Sequence, residues 1–253
     1  MSEPRRDPRW ALRPHVRRVV AWLRALPEAE LLLLLGVVAA AVAFGAALGF
    51  AKLTESVWRG HGGTTWDAHV HHWLVQHRTP WLSDVFRALT RLGNPGVIVV
   101  VTVVAVVVLL VVHRPRLAAF MVASTCGAAL LVLSVKTLVG RPRPASIDRL
   151  VTVSGPAFPS GHAAQSIACY GAVAVVVVWL VRSPLLRAVV AVGAVALGLL
   201  VGASRAYLGV HWPSDVVAGW FLAIAWLSGL VVAFVADDLI RRRRAGPGSA
   251  HLG

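Results

Sequence analysis

Lysine is almost missing from this chain. Among 25 basic residues in 253 positions, only Lys52 and Lys136 are lysines, and the rest are arginine. Asparagine occurs once, at Asn94, and cysteine twice, at Cys126 and Cys169. Both cysteines lie inside apolar runs, where a thiol packs as a small hydrophobe. Neither a disulfide nor a cysteine-based zinc site is therefore expected. No soluble basic domain is present, so the formal charge of +14 does not read as a nucleic-acid footprint, and no nucleic-acid partner is expected. There is no internal repeat and no long low-complexity linker. The preference for arginine, alanine and valine suggests GC-rich coding of a bacterial kind.

Apolar residues, by contrast, make up 57% of the chain, against roughly 45–50% in soluble domains. They fall in six long runs, near Leu31–Leu53, Val97–Val112, Ala118–Val139, Ala163–Val181, Leu185–Ala203 and Val216–Ala236. A membrane span needs roughly 20 apolar residues. The second run is short by that measure and borrows Asn94–Gly96. These runs predict an all-α, polytopic membrane protein with six transmembrane helices in one bundle. The expected organisation is a basic cytoplasmic segment at 1–30, a six-span domain at 31–239 and a basic cytoplasmic tail at 240–253. The first run is too long for a secretory h-region and reads as an uncleaved anchor.

Charge orients the bundle. Arginines cluster before the first span (Arg5, Arg6, Arg9, Arg13, Arg17, Arg18, Arg24), after the second (Arg114, Arg116), after the fourth (Arg182, Arg187) and in the tail (Arg241 to Arg244). With six spans all four clusters share one side, and the positive-inside rule makes that side cytoplasmic. Both termini are then inside, in a cell membrane of bacterial inner-membrane type. The loops around 54–95, 140–161 and 204–214 face out. The segment Val16–Leu26 mixes arginines with Val19, Val20, Trp22 and Leu23, a pattern suited to an anionic-lipid surface and equally to a topology signal.

The first outer loop predicts two amphipathic helices on the membrane surface. Trp66, Val70, Trp73 and Leu74 share one helical face. After Thr79-Pro80, a cap and a first-turn proline, Leu82, Val85, Phe86 and Leu89 share another. His61, His69, His71, His72 and His77 lie in the same loop. Without cysteine or paired carboxylates nearby they read as polar-face residues rather than a zinc site.

Three motifs stand in the outward-facing connections. Lys136 precedes Arg143-Pro144 by seven residues, with Arg141 between. Pro159-Ser160-Gly161-His162 opens the fourth span. Ser204-Arg205 is followed by His211 and Asp215. If Arg143 and Arg205, from two outer loops, converge with Lys136, they form a cationic pocket whose guanidinium forks match phosphate oxygens. Ser160 can cap the fourth-span helix, whose free amides would face an anion, and Gly161 permits close backbone approach. Such a set stabilises charge in phosphoryl transfer. His211 and Asp215 are one turn apart if the backbone between them is helical. A carboxylate on one ring nitrogen would then leave the other free to attack. His162 has no local partner and is suited to protonate a leaving oxygen.

The order KxxxxxxRP, PSGH, SRxxxxxHxxxD resembles the type 2 phosphatidic acid phosphatase superfamily, which also includes vanadium haloperoxidases and glucose-6-phosphatase. That resemblance covers Lys136 through Asp215. It implies that Lys136, Arg143 and Arg205 bind phosphate with help from Ser160 and Gly161. It further implies that His162 is the general acid, that His211 is the nucleophile forming a phosphohistidine, and that Asp215 orients it. It implies no metal and no cofactor. The expected activity is hydrolysis of a membrane lipid phosphate or pyrophosphate at the extracytoplasmic face. Candidate substrates are phosphatidic acid, phosphatidylglycerol phosphate, diacylglycerol pyrophosphate and a polyprenyl pyrophosphate such as the undecaprenyl carrier. A phosphotransferase sharing the same intermediate is the alternative. A haloperoxidase fits the motifs but not the six spans. A transporter fits poorly because the charges gather at span ends rather than at midplane.

Overall fold

The structure is a computed structural model that describes residues 27–60 and 64–245. The basic N-terminal segment, including Val16–Leu26, as well as His61 and the last eight residues, lies outside the described residues. Among the described residues the chain is helical, with eight α-helices and no strand. They are α1 (Glu28–Arg59), α2 (Thr65–Gln76), α3 (Pro80–Arg91), α4 (Pro95–Val111), α5 (Pro115–Val139), α6 (Gly161–Leu180), α7 (Pro184–Tyr207) and α8 (Pro213–Ala245).

Five of these, α1, α5, α6, α7 and α8, are each long and apolar enough to cross a membrane. A sixth candidate span exists only if α4, 17 residues long, is taken together with α3, which it meets at a 46° bend across a short break. Proline starts five of the helices, at Pro80, Pro95, Pro115, Pro184 and Pro213. A first-turn proline loses no helical hydrogen bond and arrives with its φ already set. Every predicted apolar run therefore lies on a helix, and the structure adds the break at Leu92–Asn94.

Two compact units are distinguished. One comprises residues 39–231; the other combines the N-terminal part up to Val38 with the segment from Val232 onward. In the second unit Arg242 pairs with Asp238 and Glu28. These are exposed ion pairs that contribute little to stability. The first unit holds all the motif residues. Its centre is built from small side chains on α5, α6 and α8, including Ala128, Ala164, Ala168 and Ala223, packed with Val132, Ile167 and Leu222. Glycines let indoles lie flat against neighbouring helices. A Cβ at Gly127 would lie 2.2 Å from the Trp226 ring, and one at Gly202 would lie 2.4 Å from Trp220. In a membrane, where hydrocarbon gives no net drive to bury leucine, such close packing is a main source of helix association. The large side chains are turned outward instead: Leu33, Val37, Val99, Val103, Leu185 and Val192 are all exposed.

Helices α2 and α3 are the two helices expected in this loop. Their apolar residues are divided. Trp66, Trp73, Trp81 and Val85 are exposed. Leu74, Leu82 and Phe86 pack instead on Tyr207, Leu208 and Val210 beyond the end of α7. Arg78, between the two helices, donates twice to the Tyr207 carbonyl, at 3.1 and 2.8 Å. The pair is thus docked at the end of the spans where α7 finishes. His71 is a correction: it is buried, not on a polar face. Its Nε2 lies 3.1 Å from Asp148 and its ring is tilted against Trp212.

One contact locks α8 to the start of α6. A Cβ at Gly219 would lie 2.6 Å from the Ser160 carbonyl oxygen, which is backbone and cannot swing away. Gly219→Ala should lower the thermal midpoint in detergent, because overpacking costs about 1–3 kcal/mol while the gain in helix propensity is at most about 1 kcal/mol. Gly229→Ala, with nothing within 4 Å, should leave the midpoint unchanged or raise it. Thermal unfolding of the two variants side by side checks this, and equal midpoints would contradict the packing account.

Candidate active site

The motif residues come from the ends of four helices and the loops between them. Lys136 is in the last turn of α5, which Gly140 ends in a left-handed conformation (φ 60°) by donating back to the Lys136 carbonyl. That is the usual use of glycine past a helix end, and Pro142 and Pro144 keep the helix from resuming. His162 lies in the first turn of α6. Arg205 is in the last turn of α7, not in a loop as its position suggests. Asp215 sits in the first turn of α8. Lys136, Ser160, Gly161, His162, Arg205 and Asp215 therefore all belong to one end of the spans.

His211 is the hub. It is buried, just before α8, and reaches Asp215 as its spacing suggested. Its Nδ1 lies 3.4 Å from Asp215 Oδ2, too long for a strong hydrogen bond but within ion-pair reach. Its Nε2 lies 3.0 Å from Arg143 Nη1. A guanidinium can only donate, so Nε2 must present its lone pair and the ring proton resides on Nδ1, facing the carboxylate. Burial pushes the His211 imidazole well below its ordinary pKa, and the nearby charges of Arg143, Arg205 and Lys136 push it the same way. The ring is therefore neutral.

The three cations converge on this ring, but each is already engaged. Arg143 donates to the carbonyls of Gly155, Val210, Ser154 and Pro156 as well as to His211. Lys136 donates to the carbonyls of Pro156 and Ala157. Arg205 donates to Thr90 Oγ1 at 2.8 Å, while its Nε is buried with no partner. Ser160 stands at the N-cap of α6, yet its hydroxyl makes no capping bond. That Oγ is also buried and unpartnered, which corrects the capping expectation. Its amide donates to the Asp215 carbonyl at 2.9 Å. Gly161 is not forced by packing, since a Cβ there would meet only Val132 at 3.6 Å. Two orphan donors, on Ser160 and Arg205, are what a bound oxyanion would satisfy.

Four further residues were not anticipated as part of the site. His162 does have a partner: its Nε2 lies 3.0 Å from Oδ1 of Asn94, the lone asparagine. Behind Asp215 stands Arg141, whose Nη1 donates to Asp215 Oδ1 at 2.5 Å and to Ser214 Oγ at 2.7 Å. Arg141 Nη2 donates to Asp67 Oδ2 at 2.7 Å. Asp67 also accepts from the Ser214 amide and hydroxyl and from the Thr64 amide. Burial raises the affinity of Asp67 for a proton, but the bonds from Ser214, Arg141 and Thr64 outweigh it and hold the carboxyl below its ordinary range. A scarcity signal existed for Asn94. For Asp67 the local pattern Thr64-x-x-Asp67 reads as a helix start, which conceals the distant partners.

Beside Lys136 lies a cavity of about 530 Å³ between α4, α5 and α6. Its walls are almost wholly apolar, from Val106 and Val122 to Ile98 and Val132, and Lys136 and Gln165 are among its lining residues. Among the described residues no three His, Cys, Asp or Glu side chains gather as a metal site would need.

Comparison with known proteins places this arrangement. A family model described as the PAP2 superfamily matches residues 116–238. Phosphatidylglycerophosphatase B of Bacillus subtilis (strain 168) is 31% identical over 170 residues, covering 66% of this chain and 81% of that protein. An undecaprenyl-diphosphatase of Sulfolobus acidocaldarius is 38% identical over 88 residues, 34% of this chain and 36% of the relative. Among solved structures, a transmembrane PAP2 type phosphatidylglycerolphosphate phosphatase from Bacillus subtilis superposes with a TM-score of 0.69 at 27% identity. The match covers 78% of this chain and 96% of that one. With the helices, the motifs and these matches in agreement, this multi-pass membrane chain belongs to the PAP2 superfamily.

Proposed function

We propose that this chain is an integral-membrane lipid phosphate or pyrophosphate phosphatase working through a phosphohistidine on His211. The observation that carries the reading is the His211 ring itself: neutral, with Nδ1 toward Asp215 and the Nε2 lone pair toward the cations. Nε2 attacks phosphorus while the bond from phosphorus to the lipid oxygen breaks. The departing oxygen takes a proton from His162, which becomes protonated once the bound anionic phosphate offsets the charges of Arg205, Arg143 and Lys136, with its Nε2–H on Asn94. Water then attacks the phosphorus and returns a proton to His162, the phosphorus–nitrogen bond breaks, and inorganic phosphate leaves. Lys136, Arg143 and Arg205 offset the charge on the phosphoryl oxygens, with the Ser160 hydroxyl and the amides at Gly161 beside them. Asp215 steadies the ring as it becomes cationic. The residues present supply this neutralisation themselves, so the reading needs no metal and no cofactor.

The substrate class follows from the apolar cavity at Lys136, which suits a hydrocarbon chain whose phosphate lies at the cations. The names of the two relatives, one for phosphatidylglycerophosphate and one for undecaprenyl diphosphate, favour a phospholipid phosphate or a polyprenyl pyrophosphate. The extracytoplasmic face is favoured because Arg114, Arg116, Arg182 and Arg187 lie at the span ends opposite the site. Both termini are then cytoplasmic.

Purified protein should release inorganic phosphate from phosphatidic acid, phosphatidylglycerol phosphate or farnesyl pyrophosphate in excess EDTA. His211→Ala should abolish turnover and the acid-labile radiolabel trapped on the protein. His162→Ala should keep more relative activity on para-nitrophenyl phosphate than on a lipid, because a good leaving group needs little protonation. Loss of activity in EDTA with rescue by magnesium, or label retained on His211→Ala, would overturn the scheme.

The depressed His211 pKa makes a separate expectation. At pH 5.5 an ordinary imidazole, with a pKa of about 6.5, is mostly charged. His211 should stay neutral there, with its proton on Nδ1. Nitrogen-15 histidine spectra of wild type and His211→Gln, compared between pH 7.5 and 5.5, assign and follow the resonance.

Sidedness is checked with an impermeant maleimide on intact cells, after Cys126 and Cys169 are replaced by alanine. Ser154→Cys should react and Arg243→Cys should not. The reverse pattern would put hydrolysis in the cytoplasm.

A further inference from the structure

We propose that Asp67 and Arg141 are positioning residues for the His211–Asp215 pair, so that a helix of the first outer loop sets the nucleophile's carboxylate. This rests on the reading of His211 as nucleophile. The geometry is a chain of buried groups: Asp67 Oδ2 to Arg141 Nη2 at 2.7 Å, Arg141 Nη1 to Asp215 Oδ1, and Asp215 Oδ2 to His211 Nδ1 at 3.4 Å. Ser214 closes the chain from the side, with its hydroxyl near both Arg141 and Asp67 and its amide on Asp67. The Asp67 and Arg141 side chains are 2% and 0% exposed.

Charge accounting explains why two carboxylates face one guanidinium. If Arg141 paired with Asp215 alone, its full charge would fall on that carboxylate and leave little for His211. Asp67 draws part of the guanidinium's charge to the other side. Asp215 then keeps a negative field toward Nδ1 at the moment the phosphorylated ring turns cationic. The oxygens also divide the work. Oδ1 of Asp215 is held by Arg141, while Oδ2 accepts from the Trp212 amide at 2.8 Å and faces the ring. Neither Asp67 nor Arg141 reaches the orphan donors of Ser160 and Arg205 through any of these bonds. Their loss should therefore act on the histidine and not on phosphate binding.

The competing account is that Asp67 merely ties α2 to the start of α8. The two are separated by a double-mutant cycle in purified protein. Asp67→Asn and Asp215→Asn are made singly and together, and kcat, KM, inhibition by inorganic phosphate and the rate of phosphohistidine trapping are measured. In a histidine triad, loss of the orienting carboxylate costs about 10⁴-fold. One step further back, Asp67→Asn should lower kcat and trapping by about 10²-fold, with KM and the phosphate inhibition constant within about threefold of wild type. In the Asp215→Asn background it should cost less than about fivefold, because the group it acts through is already lost. Losses that simply multiply, a loss confined to KM, or wild-type kcat in Asp67→Asn would overturn the proposal. Should Asp67→Asn fail to fold, Ser214→Ala removes only the lateral hydroxyl and is read by the same cycle. Trapping on the wild type keeps the two levels apart. If wild type traps no acid-labile phosphate, or His211→Ala still turns over, the phosphohistidine reading itself fails and this proposal with it. If wild type traps normally and the cycle shows no coupling, only the positioning role fails.

Discussion

A guanidinium with no exposure to water, Arg141, sits between two carboxylates, one of which faces His211. Everything else at this end of the bundle is arranged around that fact. Removing a charge from water costs several kcal/mol even after relaxation, and only close, well-bonded partners offset it. Asp67 arrives from α2, Asp215 and Ser214 from the start of α8, and the Arg141 carbonyl accepts from the Ala157 amide at 2.8 Å. One buried ion thus ties together the loop that carries Arg143, the helix that carries Asp215 and helix α2. Breaking any arm would leave a charge uncompensated, a loss of about 3–5 kcal/mol.

The cations in front of the histidine are held differently. Arg143 and Lys136 rest on carbonyls of the 154–157 loop, which are dipoles rather than charges. Carbonyls fix the position of a cation without cancelling its charge. The net positive field therefore survives at His211, where with burial it helps keep the imidazole neutral. A carboxylate stands on the Nδ1 side of His211 and cations on the Nε2 side. That polarity suits an anionic phosphoryl group.

The spans below serve this end. Alanine and glycine on α5, α6 and α8 let those helices approach until Gly219 nearly touches the Ser160 carbonyl, and this approach brings the start of α6 against Asp215. Large aliphatic residues such as Leu33, Val99 and Leu185 are exposed on the helices, as contact with hydrocarbon allows. The apolar cavity beside Lys136 runs between α4, α5 and α6.

Much of this was legible in order along the chain. The apolar runs marked the helices able to span, five singly and a sixth only as a bent pair, because a bilayer sets both the length and the apolar character of what crosses it. The three motifs singled out His211, His162, Asp215, Lys136, Arg143 and Arg205 as candidate site residues, and the structure gathers them at one end of the spans. His211 and Asp215, four apart around Pro213, are an example: the proline at the first helical position preserves the turn rather than breaking it. What only the tertiary structure decided are the partners that lie far apart in sequence. Asn94 meets His162 across 68 residues, Asp67 meets Arg141 across 74, and Thr90 meets Arg205 across 115. His71 likewise turns inward to Asp148 rather than outward with its neighbouring histidines. A short polar side chain on an amphipathic helix has the same local pattern whether it faces water or a buried ion. The packing of α2 and α3 on the ends of the spans determines which of these occurs, and that packing is set by side chains more than a hundred residues away.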